Sequence, residues 1–297
     1  MKNKTDEGVR IVLFSVVLNA LLFLLKGTVG ILAYSTALQA DAVNSAGDTM
    51  SSLASLFGIK YSIKPHDNDH HYGHGKMEAF VSLFVGLVIL VSAGFLWRSI
   101  ITIVISGEFL QSNIWALIVA LIAIIIKLFM YIKTMRVGKK INSIAVKANA
   151  LDHMNDIYAT SATAVAIFLS LLARITGIHI LRYSEPIASA IMSIFIIKTG
   201  IEIITSSTKM LMDAAPNEYI VDSLKVKVNE CDGVRYLNWL KCRTIGRGIL
   251  VDLAVEVDEN ITVKQGHDLA DDIKHAIQVD YQEVLDVLVH INPHKMD

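Results

Sequence analysis

Charge is scarce in this chain. Asp, Glu, Lys and Arg make up 19% of its 297 residues, and 53% are hydrophobic. An ordinary soluble domain has roughly 25% charged and about 45–50% apolar residues. Together with a mean hydropathy of +0.50, this excludes a disordered or fibrous chain and points to a membrane protein with a smaller soluble part. The two signs almost cancel, 27 basic against 28 acidic for a net charge of −1. The bulk positive charge of a nucleic-acid binder is therefore missing. Cysteine is nearly absent: Cys231 and Cys242 both fall in the most polar third. If that third is cytoplasmic, they are free thiols rather than a disulfide scaffold. Low-complexity tracts and solenoid-length repeats are lacking too.

The apolar residues collect in six stretches, about 9–33, 37–62, 79–105, 113–132, 144–173 and 183–206. Each is long enough to cross a bilayer as a helix, which takes roughly 20 residues. The first is too long for a signal-peptide core and carries Lys26, so it is read as a span. The second and fifth are more polar than lipid-facing helices should be. Basic residues alternate between connections. Lys2, Lys4 and Arg10 precede span one; Lys60, Lys64 and Lys76 lie between spans two and three; Lys133, Arg136, Lys139 and Lys140 lie between four and five. The intervening connections are poorer: Tyr34–Thr36 has no basic residue, 106–113 carries only Glu108, and the last holds Arg174 and Arg182. By the positive-inside rule, the bias places both termini in the cytoplasm of a multi-pass protein of the cell (inner) membrane.

After Thr205 the texture becomes that of a soluble domain. Helical spacing runs over 217–230, strand patterns over 236–244 and 249–257 around Gly246-Arg247-Gly248, an amphipathic helix over 262–278 and a last strand over 284–291. The fold expected is a membrane α-helical one: six transmembrane helices (residues 1–208) followed by a cytoplasmic αββαβ, metallochaperone-like domain (209–297) with helices on one sheet face.

The polar residues inside the spans carry the chemistry. In span two Asp41, Asn44, Ser45 and Asp48 recur at three- and four-residue intervals and share a helix face. In span five Asp152 and Asp156 are four apart, with Asn149 and His153 beside them. Each mid-bilayer charge costs roughly 2.5–3.5 kcal/mol on insertion scales. Lys26 and Lys127 are too few to neutralise these acids, so the two stripes are expected to meet around a bound cation. Asp41 stands apart, only a few residues after the first turn, where hydration at a helix end is an equal alternative. His153 lies about 100° around the helix from Asp152 and is read as packing or supporting rather than ligating. The loop after span two, His66-Asp67-Asn68-Asp69-His70-His71-Tyr72-Gly73-His74, packs four histidines and two aspartates into nine residues. It could hold a divalent metal, its imidazoles suiting zinc better than manganese, and a solvated polar loop is the alternative.

These motifs together resemble the cation diffusion facilitator family. They are Asn44-x-x-x-Asp48, Asp152-x-x-x-Asp156, the loop Asp67-x-x-His70-x-x-x-His74-Gly75-Lys76-x-Glu78, six spans and a C-terminal αββαβ domain. The resemblance covers the chain from about Val9 to Pro293. It implies a homodimeric transporter in the lipid bilayer that exports divalent metal from the cytoplasm in exchange for protons, with no permanently bound cofactor. The transport site falls on Asn44, Asp48, Asp152 and Asp156, with Asp41 and His153 as auxiliary residues, and a secondary loop site falls on Asp67, His70 and His74. Zinc-type members carry histidine where Asp152 stands, and aspartate or histidine where Asn44 stands. An amide and three carboxylates make a hard, all-oxygen site, favouring Mn²⁺ over Zn²⁺, Fe²⁺ or Co²⁺. The binuclear zinc site of the family's C-terminal domain maps to Asn238, Ala254, His267, His290 and Asn292. Only His267 and His290 remain as ligands there, enough for a weaker regulatory site at most, and an ordinary surface role is the alternative for both. Two other classes are weighed against transport. An intramembrane metalloenzyme is disfavoured because no His-Glu-x-x-His motif occurs, and a membrane-bound metal sensor would not need acid pairs in two spans.

Overall fold

The computed structural model describes residues 2–62, 67–107, 109, 112–141, 143–246 and 248–294. Lys64, His66, Glu108 and Arg247 lie outside the described residues, as do the side chains of Lys2, Lys4 and Lys60. Six long helices come first: α1 (Lys2–Leu32), α2 (Thr36–Ser62), α3 (Met77–Ser106), α4 (Ile114–Ile141), α5 (Ile144–Thr176) and α6 (Ser184–Leu211). Among the described residues, five of them, α1 and α3 to α6, are long and apolar enough to cross a membrane. Among those five, α5 has the lowest mean hydropathy, 1.6. The sixth, α2, carries the polar stripe of Asp41, Asn44, Ser45 and Asp48, and its 27 residues make a helix of about 40 Å, long enough to span.

The fourth helix differs from the sequence expectation. It does not stop near residue 132 but runs to Ile141, so Lys133, Arg136, Lys139 and Lys140 ride on its last turns instead of forming a loop. Long basic side chains keep their heads in water while their stems follow the helix, and Lys139 and Lys140 also complement the negative end of the helix dipole. Ser143 then caps α5, its hydroxyl accepting from the Val146 backbone N–H. Gly177 ends α5 in the left-handed region at φ 74°, which a side chain would strain.

The chain divides into two compact units, 1–55 with 84–204, and 56–83 with 205–297. In the first, small residues let the helices approach. Ala33, Ala37, Ala116, Ala120, Ala164 and Ala166 form a core with Leu38, Val119 and Ile167. Within a membrane this close packing, rather than a hydrophobic drive, holds helices together. α3 and α6 meet at Gly86 and Gly200: a methyl on Gly86 would sit 2.7 Å from the Ile204 side chain and 3.2 Å from the Gly200 carbonyl oxygen. At one end Glu185 accepts hydrogen bonds from the hydroxyls of Ser35 and Ser112, tying together the start of α6, the α1–α2 turn and the segment before α4.

In the second unit, α7 (Glu218–Asn229), β1 (Tyr236–Ile245), β2 (Gly248–Asp258), α8 (Val263–Asp280) and β3 (Val284–His294) realise the expected αββαβ order. The sheet order is β1-β2-β3; β1 and β2 pair antiparallel through a tight turn, and β2 and β3 pair parallel. A parallel pair needs a crossover, and α8 supplies it. Leu224 and Val228 of α7 and Ile273 and Ile277 of α8 bury against Val251, Leu253 and Val255 of β2. Thr262 and Gln265 form a capping box at the start of α8.

Candidate functional site

The polar stripes of α2 and α5 line one cavity of about 700 Å³ in the first unit. Asn44 and Asp48 face it from α2; Asn149, Asp152, His153, Asn155 and Asp156 face it from α5; Asn19 of α1 and Met192 and Thr199 of α6 complete much of its wall. The four-residue repeat explains why each helix delivers its pair to the same side. Two oxygens on this wall are buried without a hydrogen-bond partner, Oδ2 of Asp48 and Oδ1 of Asn149. Buried polar atoms are ordinarily satisfied, so such atoms ask for an explanation. Carboxylate and amide oxygens around one cavity form a hard donor set. Asp48 and Asp156 reach each other by a side-chain hydrogen bond, but the three carboxylates do not converge as one tight ligand group. Among the described residues, the one group of three or more His, Cys, Asp or Glu with ligand atoms within 4.8 Å of one another lies elsewhere.

The two buried lysines, Lys26 and Lys127, are both engaged, a point the spacing of the acids does not reveal. Lys26 of α1 pairs with Asp41 at 2.8 Å, with side chains 0% and 1% exposed. Its ammonium also donates to Thr160 Oγ1 (3.0 Å) and Ser45 Oγ (3.3 Å), and the Thr160 hydroxyl donates to Asp41 Oδ1 (3.2 Å). Asp41 is thus sealed in an ion pair joining α1, α2 and α5, and it is not hydrated at a helix end. Lys127 of α4 pairs with Asp156 and donates to Asn19 Oδ1 at 2.8 Å. The expectation that these lysines leave the acids unneutralised holds for Asp48 and Asp152 but not for Asp41 or Asp156. Lone polar residues in apolar helices, Asn19 and Lys127, were the available signal for this half of the wall. His153 is buried, with Nε2 3.1 Å from Ser15 Oγ and Nδ1 without a partner.

The group of three is Asp67, His70 and His74, in the loop after α2. Asp67 Oδ1 accepts from the backbone N–H groups of Asp69 and His70 (3.2 and 2.8 Å), a turn that fixes the carboxylate. That carboxylate then sits 3.1 Å from His70 Nδ1 and 3.4 Å from His74 Nε2. Gly73, at φ 77°, makes the bend that brings His74 back. Two imidazoles and a carboxylate fit a zinc-like ion. Beside them Lys76 pairs with Asp213 at 3.0 Å and donates to the Leu211 carbonyl.

The C-terminal histidines are not gathered. His267 is 72% exposed and meets only Asp271 of its own helix, at 3.6 Å. His290 is exposed opposite Ala254, and neither histidine belongs to a metal-holding group among the described residues. The open sheet face instead carries a hydrogen-bonded network. Asn238 donates to Glu256 Oε1, Asn292 donates to Asn238 Oδ1, and His294 Nδ1 lies 2.6 Å from Glu256 Oε2. These bonds from His294 and Asn238 hold the Glu256 carboxyl below its ordinary range. Both cysteines are free; burial pushes the Cys242 thiol up to about 11 and raises that of Cys231, which makes both poorly reactive.

Comparison with known proteins agrees with this architecture. The cation efflux transmembrane domain family matches residues 12–212, and the cytoplasmic domain family of cation efflux proteins matches 216–294. The manganese efflux system protein MneP of Bacillus subtilis is 34% identical over 96% of this chain and 96% of its own. Metal tolerance protein 2 of Oryza sativa is 30% identical over 90% of this chain and 73% of its own. The magnetosome protein MamB of Paramagnetospirillum magneticum is 27% identical over 91% and 89%. Its six helices and C-terminal sheet domain, with both family matches, make the chain a multi-pass member of the cation diffusion facilitator family, a divalent metal efflux transporter and not an enzyme.

Proposed function

We propose that the chain exports Mn²⁺ from the cytoplasm, one ion at a time through Asn44, Asp48, Asp152 and Asp156, in exchange for protons. The observation that carries this reading is the shared cavity of α2 and α5, with the unpartnered oxygens of Asp48 and Asn149 on its wall. Oxygen donors without imidazole favour Mn²⁺ by ligand type, although Zn²⁺ binds more tightly to most sites in isolation. The Bacillus subtilis relative, a manganese efflux system protein, supports the same ion. The ion sheds water on entering from the cytoplasm, is held by the four side chains, and is released outward when the helices rearrange. Protons displace it because a protonated carboxyl is a poor ligand.

In this reading residues 1–208 form the transport domain and 209–297 the cytoplasmic domain, with both termini in the cytoplasm of the cell membrane. The protein works as a homodimer. Asp67, His70 and His74 hold a secondary, zinc-like ion, and His267 and His290 serve as ordinary surface residues. His153 supports α5 against α1, and Asp41 steadies α2 instead of touching the ion. Uptake of Mn²⁺ by proteoliposomes tests the assignment. Asp48→Ala and Asp152→Ala should abolish flux while each protein remains folded; native rates in either variant would overturn it.

A further inference from the structure

We propose that Lys127 is the fixed counter-charge of the transport site, and that it keeps the site's hold on a divalent ion weak enough for release. The inference rests on the reading of Asn44, Asp48, Asp152 and Asp156 as that site. Among the described residues, two lysines are buried within the spans, Lys26 and Lys127. The first is taken up by Asp41, Ser45 and Thr160, away from the cavity wall. Lys127, fully buried on α4, ends between Asp156 and Asn19, and both of those residues line the cavity. No ligand comes from α4. The Lys127 ammonium nevertheless sits directly behind the wall, paired with Asp156 and held there by Asn19 of α1.

The charges explain what such a group does. With all three ionised, as ligation of a metal requires, Asp48, Asp152 and Asp156 bring three negative charges to the cavity, and Lys127 beside Asp156 returns one positive, leaving a charge of two minus. A divalent ion makes that site neutral, the least costly loaded state for charges within membrane-spanning helices. A monovalent ion would leave it negative. With the lysine neutralised, the same three carboxylates would hold a dication with an excess charge. A conducting site must bind its ion firmly enough to take it up and weakly enough to let it go. Lys127 also occupies Oδ2 of Asp156, so an arriving ion competes with the ammonium for that carboxylate. Lys127 is therefore a positioning residue that tunes affinity without touching the ion.

The test measures Mn²⁺ affinity of the purified full chain by titration calorimetry, and initial flux into proteoliposomes, at one fixed pH. Lys127→Gln should bind Mn²⁺ about tenfold or more tightly, since a nearby like charge has been removed from a dication. Its KM and kcat for flux should fall together. Lys127→Arg, which keeps the charge, should bind more weakly than Lys127→Gln. A purely structural role for Lys127 would instead weaken binding. Where Lys127→Gln does not fold, Asn19→Asp decides: a fourth carboxylate beside the ammonium should likewise tighten Mn²⁺ binding. Unchanged or weaker binding in the folded variant overturns the counter-charge. Asp48→Ala, measured alongside, separates the two levels. If it binds Mn²⁺ as the native chain does, the site itself has been misread, whatever Lys127 does.

Discussion

Removing the Lys26 ammonium, as in Lys26→Met, leaves Asp41 as a lone charge 1% exposed between three helices. At 2.8 Å and an effective dielectric of about 20, the lost attraction is about 6 kcal/mol. Desolvation already opposed part of that, and breaking one side of a buried pair typically costs about 3–5 kcal/mol. Thr160 and Ser45 lose a hydrogen-bond partner as well. For a body of about 150–250 residues, each kcal/mol moves the melting temperature by roughly 2–4 °C, so the variant should melt roughly 10 °C lower. Asp41→Asn should cost a similar amount, because it strands the ammonium instead. The double variant Lys26→Met/Asp41→Asn removes both charges and should recover about half of the loss or more. The assay is thermal unfolding of the detergent-solubilised full chain, followed by the fraction remaining monodisperse. Single variants melting within about 2 °C of native, or a double variant equal to the sum of the singles, would refute the buried pair as a stabilising tie.

Gly86→Leu should loosen α3 from α6, since a side chain there meets Ile204 and the Gly200 carbonyl; overpacking of this kind costs about 1–3 kcal/mol, read as a lower melting temperature. His74→Ala should remove one equivalent of bound Zn²⁺ from the full chain in a titration, because it takes a ligand from the one three-residue group in the loop. Cys242 should resist iodoacetamide at pH 8 in the native chain and react once it is unfolded, its thiol being pushed up to about 11 by burial. A thiol raised in the folded state favours folding below its ordinary range. That contribution should fade as pH climbs from about 9 toward about 11, visible as falling stability of the full chain in a pH series.

Much of this architecture is legible in the sequence because two periods are strong. Runs of apolar residues locate α1, α3 and α6, and strand alternation with the Gly246 and Gly248 turn locates β1 and β2. The acidic stripes are legible for the same reason: residues four apart on α2 and on α5 must each share a face. What spacing cannot supply is the partner on another helix. Nothing local to Lys127 says that it meets Asp156, or that Lys26 meets Asp41 rather than the site beside it. The end of α4 is not legible from hydropathy because four basic residues have the composition of a loop, whereas Lys133 lies over the Phe14 ring and the helix continues to Ile141. The Asn238–Glu256–His294 network is equally invisible in sequence, because a bulge at Asn238 and a parallel register bring together residues from three strands.

The central claim, a hard-oxygen site that selects Mn²⁺, is tested most directly by proteoliposome flux of Mn²⁺ against Zn²⁺ in the native chain and in Asp152→His. The account predicts that the native chain favours Mn²⁺ and that the added imidazole shifts preference toward Zn²⁺. Faster Zn²⁺ flux in the native chain, or a preference that Asp152→His leaves unmoved, would contradict it.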